Sequence, residues 1–400
     1  MNNLSRQSIE HYLSNTLAFL FCLTIVSYYL AANGKINNFP NYINLLVLIP
    51  FVLLYPSRLT NKLRTESAIW LWLLAFLGYM SLSAIWSEGG GISLLLLYLG
   101  YSVLLLTFIL TFVLCHENVP LFREWCLPVL ILAASVSACY SVYLYYGIED
   151  YHPLVEDRLY ALGRLKNPVV GAFSYGTALV MGFFYGVHAR QWSERLIWIG
   201  CLLILTWALW LSGTRAVWVG IGSLLLASAV FVPNWTKKAA TIVVLLLLPI
   251  LTTLVIYFET GPGESLLGPR HLSFRPEIWK ASLDALKEGG ILFGLGIHSN
   301  SELTWGQYVF QHSHSIYFSS LFYGGLVGLF LLLGLIASTL KQGLAQAETR
   351  DKHIALGTFV FSLFAFAVDG DRLLEKIDFH WIAFWLPLAL ILTLGNKRSA

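Results

Sequence analysis

Residues 92–115, from Ile92 to Cys115, read ISLLLLYLGYSVLLLTFILTFVLC, without a charged residue or a proline. A helix that crosses the hydrocarbon of a bilayer needs about 20 consecutive apolar residues, so this run is expected to span a membrane. Similar runs flank it on both sides, near 16–32, 42–56, 67–86, 126–146, 168–187, 195–211, 216–233, 239–258, 313–340, 353–368 and 380–395. Together they predict an all-α, polytopic membrane protein of about twelve transmembrane helices, forming one membrane domain over 1–400. Composition agrees: 57% of the chain is hydrophobic and 12% is charged, against roughly 25% charged in soluble domains. No soluble fold buries so much apolar surface, because a compact domain still needs polar cover. The 14 Trp and 20 Tyr fit rings that collect at membrane interfaces. The net charge of +3 gives no basis for a nucleic-acid partner.

The first run follows Arg6 but is long for a signal peptide, lacks a small-residue cleavage pattern and leads directly into another span. An uncleaved first helix is expected. Cys22, Cys115, Cys126, Cys139 and Cys201 all lie in or at the ends of apolar runs, and no CxxC spacing occurs, so no disulfide framework or cysteine metal site is expected. Lys and Arg of the short loops fall on one side: Arg58, Lys62 and Arg64; Arg123; Arg190 and Arg195; Lys237 and Lys238; Lys341, Arg350 and Lys352. This bias places both termini in the cytoplasm.

Two long loops fall on the opposite side, 147–167 and 259–312. Loops of that length in a compact bundle usually carry function. Within the second, Pro276 and Glu277 open, and Gly289-Gly290 closes, a stretch whose Ile278, Trp279, Leu283 and Leu286 approximate one apolar stripe. An amphipathic helix over 276–288 is expected.

Four clusters could carry chemistry. Gln311-His312-Ser313-His314-Ser315-Ile316-Tyr317 enters a span that continues through Gly324-Gly325-Leu326-Val327-Gly328. A neutral imidazole there can take a proton from a hydroxyl near neutral pH, although polar residues capping a helix at the interface look the same. Gly324 and Gly328 form a small-xxx-small pair that admits a neighbouring helix. Leu211-Ser212-Gly213-Thr214-Arg215 makes a tight turn between two spans, and Arg215 suits a diphosphate, whose oxygens a guanidinium binds as a fork; snorkelling to lipid phosphate is the competing reading. Arg275-Pro276-Glu277-Ile278-Trp279 precedes Gly294-Leu295-Gly296, and Arg275 is either an anion ligand at a helix start or an exposed loop charge. Arg158, Gly163, Arg164, Asn167 and Pro168 form a fourth, looser set just before a span. His298, Glu302, His312 and His314 fit no established metal-ligand spacing. Asp369, Asp371, Glu375 and Asp378 read as a solvated acidic face with a role in acceptor contact.

The frame His314-Ser315, nine residues, Gly325, two residues, Gly328 resembles the signature of the O-antigen ligases. Counting from His312 lands on Tyr323 where glycine is required, so the resemblance selects His314 as the catalytic residue, with Ser315, Tyr317, Gly325, Gly328 and Trp279 in support. The Ser-Gly-Thr-Arg turn, the Arg275…Trp279 pair and the Gly-x-Gly turn resemble that family too. The resemblance implies a GT-C-like membrane glycosyltransferase with no metal or other cofactor and no need for ATP. It also implies an undecaprenyl-diphosphate-linked glycan as donor, held by Arg215, Arg275, Arg164 and Arg158, and a sugar of lipid A-core as acceptor on the periplasmic face of the inner membrane. An O-antigen polymerase would use the same donor; its members vary more around the histidine frame. The lack of a large soluble C-terminal domain disfavours the protein-glycosylating branch. A membrane transporter is the rival from another class, and the paired broken helices of internal repeats that mark many transporters are not seen in the sequence.

Overall fold

The structure, a computed structural model, describes residues 3–31, 38–65, 67–147, 158–231, 275–300, 302–305 and 308–394. Its helices are α1 (Asn3–Leu30), α2 (Phe39–Leu54), α3 (Pro56–Thr65), α4 (Ser67–Leu82), α5 (Ile92–Asn118), α6 (Phe122–Gly147), α7 (Pro168–His188), α8 (Trp192–Ser212) and α9 (Arg215–Phe231). They continue with α10 (Arg275–Gly289), α11 (Ile316–Leu344), α12 (Arg350–Val368) and α13 (Leu386–Leu392). Among the described residues, eight helices are long and apolar enough to cross a membrane, and Phe39–Leu54 and Trp381–Leu392 are shorter apolar helices. The protein is a multi-pass membrane protein whose spans are helices. The quoted run forms α5, and the expected spans near 195–211 and 353–368 are the full-length helices α8 and α12. The expected span 239–258 and residues 148–157 of the loop 147–167 lie outside the described residues, as does the start of the loop 259–312.

α7 sits inside the bundle, packed on α6, α8, α9 and α12; α1 packs on α2, α5 and α6, and α4 lies along α11. Small residues set the closest approaches. A Cβ on Gly220 of α9 would stand 2.8 Å from the carbonyl oxygen of Phe361 on α12, so van der Waals packing draws these backbones together as it does between helices in lipid. At one end of the bundle the short-loop cations meet acidic partners: Arg123 pairs with Asp351 at 2.7 Å and Lys352 with Glu348 at 2.6 Å, while Arg350 reaches Glu124. Residues assigned to one side of the membrane by charge are thus neighbours in space.

The opposite end carries α10, a small antiparallel hairpin (β1, Leu303–Trp305; β2, Tyr308–Phe310) and the segment 369–380. α10 covers the stretch expected to be amphipathic, but its buried stripe is Ile278, Ser282 and Leu286, one residue in four, while Leu283 is exposed. The serine fits there because its hydroxyl donates to the Ile278 carbonyl one turn back, at 2.8 Å.

α11 is not one continuous helix. Gly325 breaks it with φ 63° and ψ −162°. The small-xxx-small pair around it works as expected: Gly324 and Gly328 admit α4, with Met80 Sδ 2.8 Å and 3.4 Å from where their Cβ atoms would be.

Candidate active site

His314 ends the turn that leads into α11 and holds φ 51°, a left-handed conformation uncommon for a residue with a side chain and found mostly where function over-determines the backbone. Three contacts fix it. Trp279 of α10 donates its indole N–H to the Ser313 carbonyl at 3.0 Å, and its ring stacks on Phe318 with centroids 4.7 Å apart. The Ser313 and Ser319 hydroxyls bond at 2.7 Å. The His314 backbone N–H donates to His312 Nδ1 at 3.3 Å.

The His314 ring meets Asp369, the residue that ends α12. Nδ1 and Oδ1 are 2.9 Å apart, with the histidine side chain 31% exposed and the aspartate side chain 11%. A carboxylate only accepts, so Nδ1 carries the hydrogen; in the neutral ring the lone pair is then on Nε2. His312 lies alongside, ring centroids 4.0 Å apart. Burial and the neighbouring His314 push its pKa below the ordinary histidine value.

Asp369 has a second partner. Its Oδ2 lies 3.5 Å from Arg275 at the start of α10, and the same guanidinium donates to the Val368 carbonyl. Arg158 arrives from the other long loop and is clamped on the turn after α8, where it donates to the Ser212 carbonyl at 2.6 Å and to Thr214 Oγ1 at 2.9 Å. Arg215 follows that turn, is exposed, and among the described residues has no hydrogen bond or ion pair. Burial lowers the pKa of Arg158 and of Arg275; the Asp369 charge opposes that shift and the Arg215 charge adds to it. Arg158 and Arg275 stay protonated near neutral pH because guanidinium starts so high. The structure thus sets one histidine on one carboxylate, with Arg275 beside that carboxylate and Arg158 and Arg215 within its electrostatic reach.

Other residues singled out in the sequence take structural places. Arg164 stands apart from the three arginines: it donates to Asn38 Oδ1 at 2.6 Å and to the Ile377 carbonyl, bracing the segment 369–380. Tyr317 bonds the Leu363 carbonyl at 3.2 Å and ties α11 to α12. Ser315 is the buried N-cap residue of α11.

The acidic face requires a correction. The segment 369–380 is folded in, not solvated. Asp369 is buried, Asp371 accepts from Ser319 at 3.0 Å and pairs with Arg372 at 3.4 Å, and Asp378 holds His380 at 2.7 Å. Each of these three aspartates found a donor or cation, which is the condition for burying it. Asp369 is the site residue that sequence reasoning missed. The available signal was an aspartate directly after an apolar span, where an unpaired charge is costly; the identity of its partner was not in the local sequence.

Residues 200–333 match the model of a family described as O-Antigen ligase. That match takes in the Ser212–Arg215 turn, α10, the His314 turn and the Gly325 break. Over 350 residues the chain is 30% identical to an O-antigen ligase of Pseudomonas aeruginosa, an alignment covering 87% of this chain and 82% of that protein. A site assembled from both long loops and four helices, within a chain that aligns with such a relative over most of its length, places this protein in the O-antigen ligase family.

Proposed function

We propose that this chain is a glycosyltransferase that moves a glycan from undecaprenyl diphosphate to a sugar hydroxyl of lipid A-core, on the periplasmic face of the inner membrane, with both termini cytoplasmic. The observation that carries this reading is the His314–Asp369 pair at 2.9 Å with Arg158, Arg215 and Arg275 around it. Nε2 of His314 takes the proton of the acceptor hydroxyl. Asp369 holds Nδ1–H and offsets the imidazolium that forms. The acceptor oxygen bonds to the anomeric carbon from the face opposite the phosphate, so the configuration inverts. The bond from that carbon to the diphosphate oxygen breaks, and the leaving diphosphate takes the electron pair. The three guanidiniums stabilise its charge. No ATP enters, because the sugar–diphosphate bond is already activated. Trp279, Ser315, Tyr317, Gly325 and Gly328 hold the geometry, and Arg164 braces the segment that carries Asp369.

The test is His314→Ala beside His312→Ala in the host, at matched membrane levels, with lipopolysaccharide resolved on a gel. Bare lipid A-core with polymer retained on undecaprenyl diphosphate is expected from His314→Ala, and a largely normal ladder from His312→Ala. A core carrying a single repeat would point to a polymerase. A normal ladder from His314→Ala would remove His314 as the base.

A further inference from the structure

The break in α11 is filled by another part of the chain. A helix interrupted at Gly325 leaves backbone groups on either side of the break without helical partners. The segment 291–296 meets four of them. Leu295 and Gly296 donate to the carbonyls of Phe322 and Tyr323, both at 2.9 Å, while Leu326 and Val327 donate to the carbonyls of Ile291 and Leu292 at 3.0 and 3.2 Å. The Tyr79 hydroxyl of α4 lies 2.8 Å from the Gly324 carbonyl and 3.1 Å from that of Phe293. The fit leaves no space: a Cβ on Gly294 would stand 2.3 Å from Gly325 N, and one on Gly325 2.4 Å from Gly294 N.

Two neighbours report how deep this segment lies. From Ile316, where α11 begins, to Gly325 is about 13 Å at 1.5 Å per residue. From Tyr79 to Ile85, where the apolar span of α4 ends, is about 9 Å by the same rise. A leaflet's hydrocarbon is about 15 Å thick, half of about 30 Å, so both measures place the segment inside it. Trp86, its ring 6.0 Å from that of Tyr79, stands nearer the end of the span, where interfacial tryptophans gather. Just before the segment, α10 closes on the exposed ion pair Asp284–Lys287. Then come three consecutive apolar side chains, Ile291, Leu292 and Phe293, exposed by 49%, 52% and 56%, next in space to the exposed Leu326 of α11. Irregular backbone is tolerated at membrane depth where its polar groups are met by protein, and here α11 and Tyr79 meet the carbonyls of Ile291, Leu292 and Phe293, while the Gly294 N–H donates to the Gly290 carbonyl at 3.0 Å.

We propose that residues 291–294 are a re-entrant segment embedded in the leaflet at the His314 end, with Ile291, Leu292 and Phe293 against bilayer acyl chains. The segment anchors α10, and with it Arg275 and Trp279, at a fixed depth below the surface. The inference rests on the chain spanning a membrane and not on the reaction it catalyses.

The test is a nitroxide at Phe293→Cys in full-length protein in liposomes, with the five native cysteines replaced, compared with Lys287→Cys. Power saturation with oxygen and with a water-soluble nickel chelate gives the depth. The oxygen-to-nickel accessibility ratio is expected to be several-fold higher at 293 than at 287. Equal ratios, or free access of nickel to 293, would overturn the proposal. Should the cysteine-free chain fail to fold, benzoylphenylalanine at Leu292 in the otherwise unchanged protein serves instead: a photo-adduct with radiolabelled phospholipid is expected, and its absence overturns the proposal.

Discussion

Replacing Asp369 with Asn removes one charge and leaves volume nearly unchanged, so it tests the His314 pair with little effect on packing. The aspartate faces two donors, His314 Nδ1 at 2.9 Å through Oδ1 and Arg275 at 3.5 Å through Oδ2. An amide has one oxygen for the two. Arg275 is always charged, so it takes the oxygen, and the amide NH2 turns to His314. Nδ1 must then accept, which moves the ring hydrogen to Nε2, the wrong tautomer for a base. The charge-assisted bond lost is worth about 1.5–3 kcal/mol, and at about 1.4 kcal/mol per decade this is roughly a 10- to 150-fold fall in kcat. The assay is transfer of labelled glycan from undecaprenyl diphosphate to lipid A-core by purified protein, at membrane levels shown equal to wild type. KM for the donor should change little, because the three arginines remain. A wild-type kcat from Asp369→Asn would refute the reasoning and leave Asp369 as a packing residue.

Arg215→Ala should fold normally, since no hydrogen bond among the described residues depends on that side chain, and should lower transfer by about 100-fold or more, the usual cost of removing one preorganised donor to developing charge. Arg215→Lys should recover part of this in the same assay, because it keeps the charge and loses the fork. His312 has a depressed pKa in the fold. The unfolded chain therefore binds more protons, and stability contributed by neutral His312 falls as pH drops below about 6.5, levelling out beneath the folded value. Thermal unfolding in detergent between pH 5 and 8 should show this acid sensitivity, and His312→Gln should reduce it. Gly325→Ala combines a left-handed φ with a Cβ 2.4 Å from Gly294 N, so it should cost about 3 kcal/mol or more and deplete folded protein in size-exclusion profiles; Gly294→Ala should behave alike.

Much of this protein was written locally in its sequence. Hydropathy is a property of consecutive residues, so runs such as 92–115 fixed the membrane, the helical class and most span positions. Pro276 and Gly289 marked α10, and the apolar run after His314 marked α11. The tertiary structure decided the pairings. His314 and Asp369 are 55 residues apart in sequence and meet because α11 and α12 pack side by side. Arg158 joins Arg215 because the turn after α8 offers it a carbonyl and a hydroxyl, while Arg164, a few residues on, is drawn to Asn38 and Ile377. Gly294 stood in the sequence as half of a Gly-x-Gly turn and Gly325 as part of the frame counted from His314, and neither pointed to the other, yet each is needed because the other's backbone occupies the place of its missing Cβ. Burial of a charge or a broken helix is paid for by whichever partner the fold brings near, and that partner is set by packing across the bundle, not by neighbours along the chain.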